Sequence, residues 1–286
     1  MGHYTRLRVY QLGSKGSSFS ISVENHFTLV EARYNEHNSN GIWWELKNMG
    51  KASIDVLHIT SWDSDHCAHN ELVGILEDLK PSKIEYPSCL PDTDNGKNAL
   101  REIQRYQGEK LRVTPSIVKA ETKERLKGVD VLFNPIQDER SHNDNSVVKL
   151  FRRGSFQILS LGDCESEEIS KRFSGEELLQ KEVDVMILAH HGSSTNFTTK
   201  EFLEAIKPRV AICCSNYGND YGHPLPTIEK RLKDAKIPLY HTKMGDIIVQ
   251  TDTTKRYKLA NYGKNNKELQ ELAYFSNKTY YPNDVY

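Results

Sequence analysis

Three times in this chain a short apolar run stops at residues that can hold a metal ion. Ile54 to Leu57 leads into His58-Ile-Thr-Ser-Trp-Asp-Ser-Asp-His66, Ser155 to Ser160 leads into Leu161-Gly162-Asp163, and Val183 to Leu188 leads into Ala189-His190-His191-Gly192-Ser193. Asp63, Asp65 and His66 put three potential ligands into four residues. Ligands at the ends of strands are fixed by a rigid sheet while the loops that carry them stay open to water. Asp63 or Asp65 alone would read as a solvated turn or helix-capping residue. Their coincidence with His66 and Asp163 makes them candidate metal ligands, and His190 and His191, at a strand end before Gly-Ser, join them as candidates.

The rest of the sequence supplies the strands such a scaffold needs. Short β-branched runs with turn punctuation recur at Leu7 to Leu12, Phe19 to Val23, Phe27 to Ala32, Ile54 to Ile59, Lys83 to Tyr86, Val129 to Phe133, Ser146 to Phe151, Phe156 to Leu161, Val183 to Leu188, Val210 to Cys214 and Ile247 to Thr251. Between them Leu72, Val73, Leu76 and Leu79 share a helical face, as do Leu100 and Ile103, and Ile228, Leu232 and Ala235. An antiparallel start followed by alternating strands and helices predicts an α/β protein with two packed sheets and helices outside, an αββα sandwich. Ser88 to Lys97 and Gln137 to Asn145 read as exposed loops. Residues 1–255 are expected to form one domain. Residues 256–286 are expected to form an appendage with a short helix near Lys267 to Phe275 and a tail bearing Tyr280, Tyr281 and Tyr286. That tail is expected to pack on the domain or on a second subunit or other protein partner. Trp43 and Trp44 are expected in the core or in a lid.

No apolar run among the 286 residues approaches the ~20 needed to cross a bilayer. The start, Met1-Gly-His-Tyr-Thr-Arg6, lacks the apolar stretch of a signal peptide, so the expectation is a cytoplasmic protein with no membrane association. Five cysteines without a C-x-x-C pair argue against a disulfide framework. Cys67 and Cys164 each follow a proposed ligand, but neighbouring side chains point in different directions, so both are read as buried thiols. A net charge of −1 gives no global attraction to nucleic acid.

Five segments, in order, resemble the metallo-β-lactamase superfamily, and within it the hydrolase domain of ComEC-type competence proteins. They are an opening hairpin with Gly13 and Gly16, the Ser61-x-Asp63-x-Asp65-His66 loop, Asn143-Asp-Asn-Ser146, Leu161-Gly-Asp163, and His190-His-Gly-Ser193 with Tyr221-Gly-His-Pro224. The resemblance covers roughly Arg8 to Thr251 and implies a metallo-β-lactamase sandwich. It also implies that the first two members of the loop serve one metal and the Asp-His pair another. Ser61 stands where the family has histidine, which weakens the first position and leaves Asp63 as its chief loop ligand. The second position keeps Asp65, His66, Asp163 and one of His190 or His191, with Asp163 placed to bridge both. His223 matches a late family histidine, and Asn145 sits where other branches carry a histidine ligand.

One or two divalent ions are therefore expected. The carboxylate-rich donor set favours Mn²⁺ or Mg²⁺, with Zn²⁺ as the alternative. Asp65, Asp163, His223 and Asn145 are the candidate catalytic residues, His223 as the acid that protonates a leaving alkoxide or as a phosphate contact. Ser61 and Ser193 are candidate substrate contacts, with the backbone N–H groups of Gly192 and Ser193 near an anion. Lys230, Arg231 and Lys233 could track a phosphodiester backbone. The resemblance implies a nuclease or phosphodiesterase acting on nucleic acid. The alternatives are a hydrolase of a small ester, lactone or phosphocholine-type substrate, because a fold does not fix the bond cleaved, or a non-catalytic partner subunit with a degenerate metal site.

Overall fold

Burial alternates along the first strand, β1 (Thr5–Val9): Leu7 and Val9 enter an apolar layer, while the Arg6 and Arg8 guanidinium groups lie 2.9 and 3.2 Å from the Glu45 carboxylate on helix α1 (Ser39–Asn48). Side chains on a strand point alternately to its two faces, so such a strand must be covered on both. The computed structural model, which describes residues 4–109, 115–117, 129–133, 141–216, 221–253, 255–264 and 266–278, covers it with a second sheet on one side and helices on the other. The remaining strands are β2 (Phe19–Val23), β3 (His26–Val30), β4 (Val56–His58), β5 (Lys83–Tyr86), β6 (Pro115–Ile117), β7 (Val131–Phe133), β8 (Val148–Phe151), β9 (Gln157–Ser160), β10 (Val183–Ile187), β11 (Val210–Cys213), β12 (Leu239–His241), β13 (Ile247–Thr253), β14 (Arg256–Gly263) and β15 (Glu268–Ser276). They form a sheet in the order β15-β14-β13-β1-β2-β3-β4-β5-β6 and another in the order β12-β11-β10-β9-β8-β7.

Three apolar layers follow. Leu7, Phe19, Ile187, Val210 and Ile247 fill the space between the sheets. Leu57 and Ile59 pack outward with Ile42 of α1, Leu72 of α2 (His69–Gly74) and Ile103 of α3 (Asp94–Glu109). On the far side Met186 packs with Phe173 of α4 (Glu167–Ser174), Leu179 of α5 (Glu177–Glu182), Phe202 of α6 (Lys200–Ile206) and Leu232 of α7 (Pro226–Asp234). Each fully buried side chain of this kind contributes about 1.5–3 kcal/mol. The result is the expected αββα sandwich. None of the described helices is long and apolar enough to cross a membrane.

The layer between the sheets is not wholly apolar. Glu85 of β5 accepts from His58 Nδ1 at 2.9 Å, and Lys149 of β8, in the opposite sheet, lies 2.7 Å from the same carboxylate. Lys83 reaches its other oxygen at 2.7 Å. All of these groups except Lys83 are buried. His58 is thereby committed to the sheet-to-sheet contact.

The C-terminal segment differs from its expected form. Lys267 to Phe275 is not a helix: Glu268–Ser276 is an edge strand paired with β14, which pairs with β13, so Arg256–Gly263 and Glu268–Ser276 extend the first sheet. The Glu-Leu-Gln-Glu-Leu composition suits a helix, but pairing with an available strand overrides a local preference of a few tenths of a kcal/mol per residue. Trp43 and Trp44 are not in the core; both are exposed on α1, with the Arg6 guanidinium 5.3 Å from the Trp44 ring. The tyrosines of the expected tail lie outside the described residues, as do residues 137–140 of the expected Gln137 to Asn145 loop.

Candidate metal centre

Strands β3, β4, β5 and β6 run parallel in the first sheet and β9, β10, β11 and β12 in the second. Their carboxyl ends release the loops singled out in the sequence, and four side chains from three of those loops meet. The ligand atoms of Asp65, His66, Asp163 and His191 all lie within 4.8 Å of one another. Asp65 is half-buried and the other three are buried.

Each loop is built to aim its ligand. After β4, the carbonyl of Asp63 accepts from the backbone of His66 at 2.9 Å and of Cys67 at 2.7 Å, a tight turn that points His66 inward. Behind the ring, His66 Nδ1 lies 3.0 Å from Glu31 Oε1 and 3.2 Å from the Thr60 hydroxyl, which leaves Nε2 facing the group. A carboxylate behind a histidine of this kind fixes the tautomer and raises its basicity as a ligand. Glu31 also accepts from Thr60 N at 3.0 Å and Thr60 Oγ1 at 2.6 Å. After β9, Gly162 has φ +55, and a Cβ there would lie 2.7 Å from Ser146 Cβ, so only glycine lets Asp163 follow the strand this closely. The Ser146 hydroxyl accepts from Asp163 N at 3.0 Å.

The third loop separates two adjacent histidines. His190 and His191 both sit in the left-handed region, φ 46 and 52, a strained conformation for side chains with a Cβ. The His190 carbonyl accepts from Ser193 N at 2.8 Å and Ser193 Oγ at 2.7 Å, and His190 N donates to Gly162 O at 2.9 Å, which holds the turn. His191 Nδ1 donates to the Cys214 carbonyl at 3.0 Å and presents Nε2 to the group. His190 turns away, its Nδ1 2.6 Å from Glu165 Oε1. His191→Ala is therefore expected to weaken metal affinity by more than the ~10–100-fold that loss of a group behind a ligand costs, and His190→Gln by less than tenfold. Calorimetric metal titration of the two variants checks this; equal losses would contradict the division.

The donor set suits a divalent cation. His66 Nε2, Asp163 Oδ1 and His191 Nε2 are buried and lack hydrogen-bond partners, although Asp163 Oδ1 lies 2.7 Å from His66 Nε2 and 3.9 Å from His191 Nε2. Three convergent buried polar atoms left without partners would be costly unless another group satisfies them. The electrostatics agree. Burial drives the Asp65 carboxyl up, but neighbouring His191 and His66 outweigh it and leave its pKa below the ordinary value. Burial likewise disfavours a charged His66, yet Asp163 and Glu31 hold its pKa well above the usual histidine range. The pocket is made for positive charge.

The other candidates lie around this group rather than in it. The Asp63 carboxylate accepts from the Ser61 hydroxyl at 3.0 Å and is not among the converging ligands, so the described side chains assemble one metal position. Asn145 Nδ2 donates to the Ser141 carbonyl at 3.3 Å. Ser193, expected near an anion, spends its N–H and hydroxyl on the His190 carbonyl. His223 lines the cleft above the group, and burial together with the charges of His191 and His190 lowers its pKa to about 4. It is thus neutral near pH 7, which suits a proton acceptor better than the acid expected from the sequence. Lys230 pairs with Asp234 at 2.5 Å and Arg231 donates to the Thr198 carbonyl at 2.8 Å; neither they nor Lys233 are among the residues lining the cleft. Sequence reasoning missed Glu31, for which an acidic residue just past a strand was the only signal.

The comparisons with known proteins agree with this architecture. The solved metallo-β-lactamase fold protein YhfI from Bacillus subtilis matches with a TM-score of 0.54 over 86% of this chain and 100% of its own, at 10% identity. The chain has the metallo-β-lactamase fold. In sequence it is similar to the competence protein ComA of Neisseria gonorrhoeae, 25% identical over 236 residues, 81% of this chain. It is also similar to ComE operon protein 3 of Bacillus subtilis (strain 168), 26% identical over 208 residues, 71% of this chain. It spans only 30% and 25% of those two relatives. No protein-family model matches the chain.

Proposed function

We propose that this chain is a metal-dependent hydrolase that cleaves phosphodiesters of nucleic acid. The observation that carries the proposal is the convergence of Asp65, His66, Asp163 and His191, three of them with unpartnered buried atoms, beneath an open cleft. A decayed site in a non-catalytic subunit would not keep such atoms aimed at one point. Asp65, His66, Asp163 and His191 would hold the ion. When bound, a divalent ion there lowers the pKa of water and offsets charge that develops on a phosphoryl oxygen.

The chain's own residues supply the rest. His66 and His191 are locked in orientation by Glu31 and the Cys214 carbonyl, so neither must reorganise on binding. His223, a neutral imidazole in the wall of the cleft, can take a proton from the attacking water. The Tyr221 ring, 63% exposed, stacks on His223 at 5.6 Å and 27° and offers an aromatic face at the mouth, a surface on which a base can stack. The resemblance to competence proteins supports nucleic acid over a small ester.

The test is an assay of protein loaded with Mn²⁺, Mg²⁺ or Zn²⁺ against single- and double-stranded DNA, RNA, a chromogenic phosphodiester and a lactone, each with a chelator control. Metal-dependent cleavage of phosphodiesters is expected. Turnover of the lactone alone would overturn the proposal.

A further inference from the structure

We propose that Lys15 is the anion-holding residue of this cleft, fixing the phosphate of the substrate beside the metal group and setting a preference for anionic over neutral esters. The inference rests on the phosphodiesterase reading and deepens it. Of the described residues that line the cleft, Lys15 alone carries a permanent positive charge. It is exposed, and no carboxylate among the described residues pairs with its ammonium. A lysine on a free hairpin tip would ordinarily be a solvated surface group. This one is not on a free tip.

The backbone of the hairpin is fastened to the ligand loop. Arg33 Nη1 donates to the Lys15 carbonyl at 2.6 Å and to the Asp65 carbonyl at 3.3 Å, and Ser17 N donates to the same Asp65 carbonyl at 3.0 Å. Glu71 grips the guanidinium from the other side with two contacts of 3.0 Å. Gly16 has φ +128, and a Cβ there would lie 2.0 Å from Arg33 Nη1 and 2.5 Å from the Asp65 carbonyl, so the approach of the two loops requires glycine. The Lys15 backbone is thus tied to that of Asp65, and a flexible stem of four carbons sweeps only the mouth of the cleft.

Charge then assigns its work. The floor carries two carboxylates, Asp65 and Asp163, which a divalent cation neutralises without surplus. The floor then holds no surplus positive charge, and among the described residues of the lining the one unspent cation is Lys15. A charge-assisted hydrogen bond to a phosphate oxygen is stronger than a neutral one and does not form with a neutral ester.

The experiment compares wild type, Lys15→Gln and Lys15→Arg, each loaded with metal. For bis(4-nitrophenyl) phosphate, Lys15→Gln is expected to raise KM roughly tenfold or more with kcat little changed. Inorganic phosphate should bind more weakly to Lys15→Gln by a similar factor in calorimetry, metal affinity should be unaltered, and Lys15→Arg should recover most of the loss. A merely structural role would instead lower metal affinity or thermal stability. If the wild type turns over no phosphodiester, the phosphodiesterase reading fails, and the phosphate titration still decides Lys15. Equal phosphate affinity in wild type and Lys15→Gln, or none in either, overturns the assignment.

Discussion

Asp163→Asn is expected to abolish both tight metal binding and hydrolysis while leaving the fold intact. Asp163 is buried, and its Oδ1 lies 2.7 Å from His66 Nε2 and 3.9 Å from His191 Nε2, so one carboxylate oxygen stands within 4 Å of both imidazoles. Asparagine keeps the volume and removes the charge. The loss of metal affinity should exceed the ~10–100-fold cost of removing a group behind a ligand. Activity should fall by at least the roughly 10²–10³-fold that loss of one charge-stabilising group costs. The backbone should not move, because Ser146 Oγ holds Asp163 N at 3.0 Å whatever the side chain. Metal titration, turnover and circular dichroism on one preparation check the three parts. A variant with wild-type activity would remove Asp163 from the site.

The ligand loops were legible because the pattern that marks them is local: a carboxylate or imidazole directly after an apolar run is visible without knowing what the strand pairs with. The sandwich was legible for the same reason, since eleven runs of strand-like periodicity leave few architectures. What failed to show depends on backbone conformation or on distant partners. Nothing in a His-His dipeptide says which ring faces the metal; consecutive left-handed residues decide it. Asp63 and Asp65 are both expected as loop ligands, yet the Ser61 hydroxyl occupies the first carboxylate while the second joins His191. Glu31 lies 35 positions before His66 and meets it only because β3 and β4 are parallel neighbours. Glu268–Ser276 reads as a helix until β14 offers a partner. The position of His223 was visible, but its protonation state belongs to the histidines the fold gathers around it.

Glu85→Ala is expected to cost the fold about 3–5 kcal/mol, the range for removing one partner of a buried ion pair. Glu85 is the hub between the sheets: His58 at 2.9 Å and Lys149 at 2.7 Å converge on one oxygen and Lys83 at 2.7 Å on the other. Without it Lys149 is left with Asp130 3.7 Å away as its remaining carboxylate, and His58 loses the acceptor for Nδ1. Replacing the cluster rather than breaking it should behave differently. Glu85→Met combined with Lys149→Met and His58→Leu fills the layer with apolar side chains and should recover most of the loss, because the desolvation of the charges disappears with them. The pH dependence gives an independent reading. Burial raises the Glu85 carboxyl, but His58 and Lys149 overcome it and depress its pKa below the ordinary 4.5. A depressed carboxylate stabilises the fold above its unfolded pKa, so this contribution is complete at neutral pH and is lost as pH falls below about 4.5 through the lower folded value. Urea midpoints for wild type and Glu85→Ala should therefore lie far apart at pH 7 and draw together in acid. A constant gap down to pH 3 would show that Glu85 acts through packing alone.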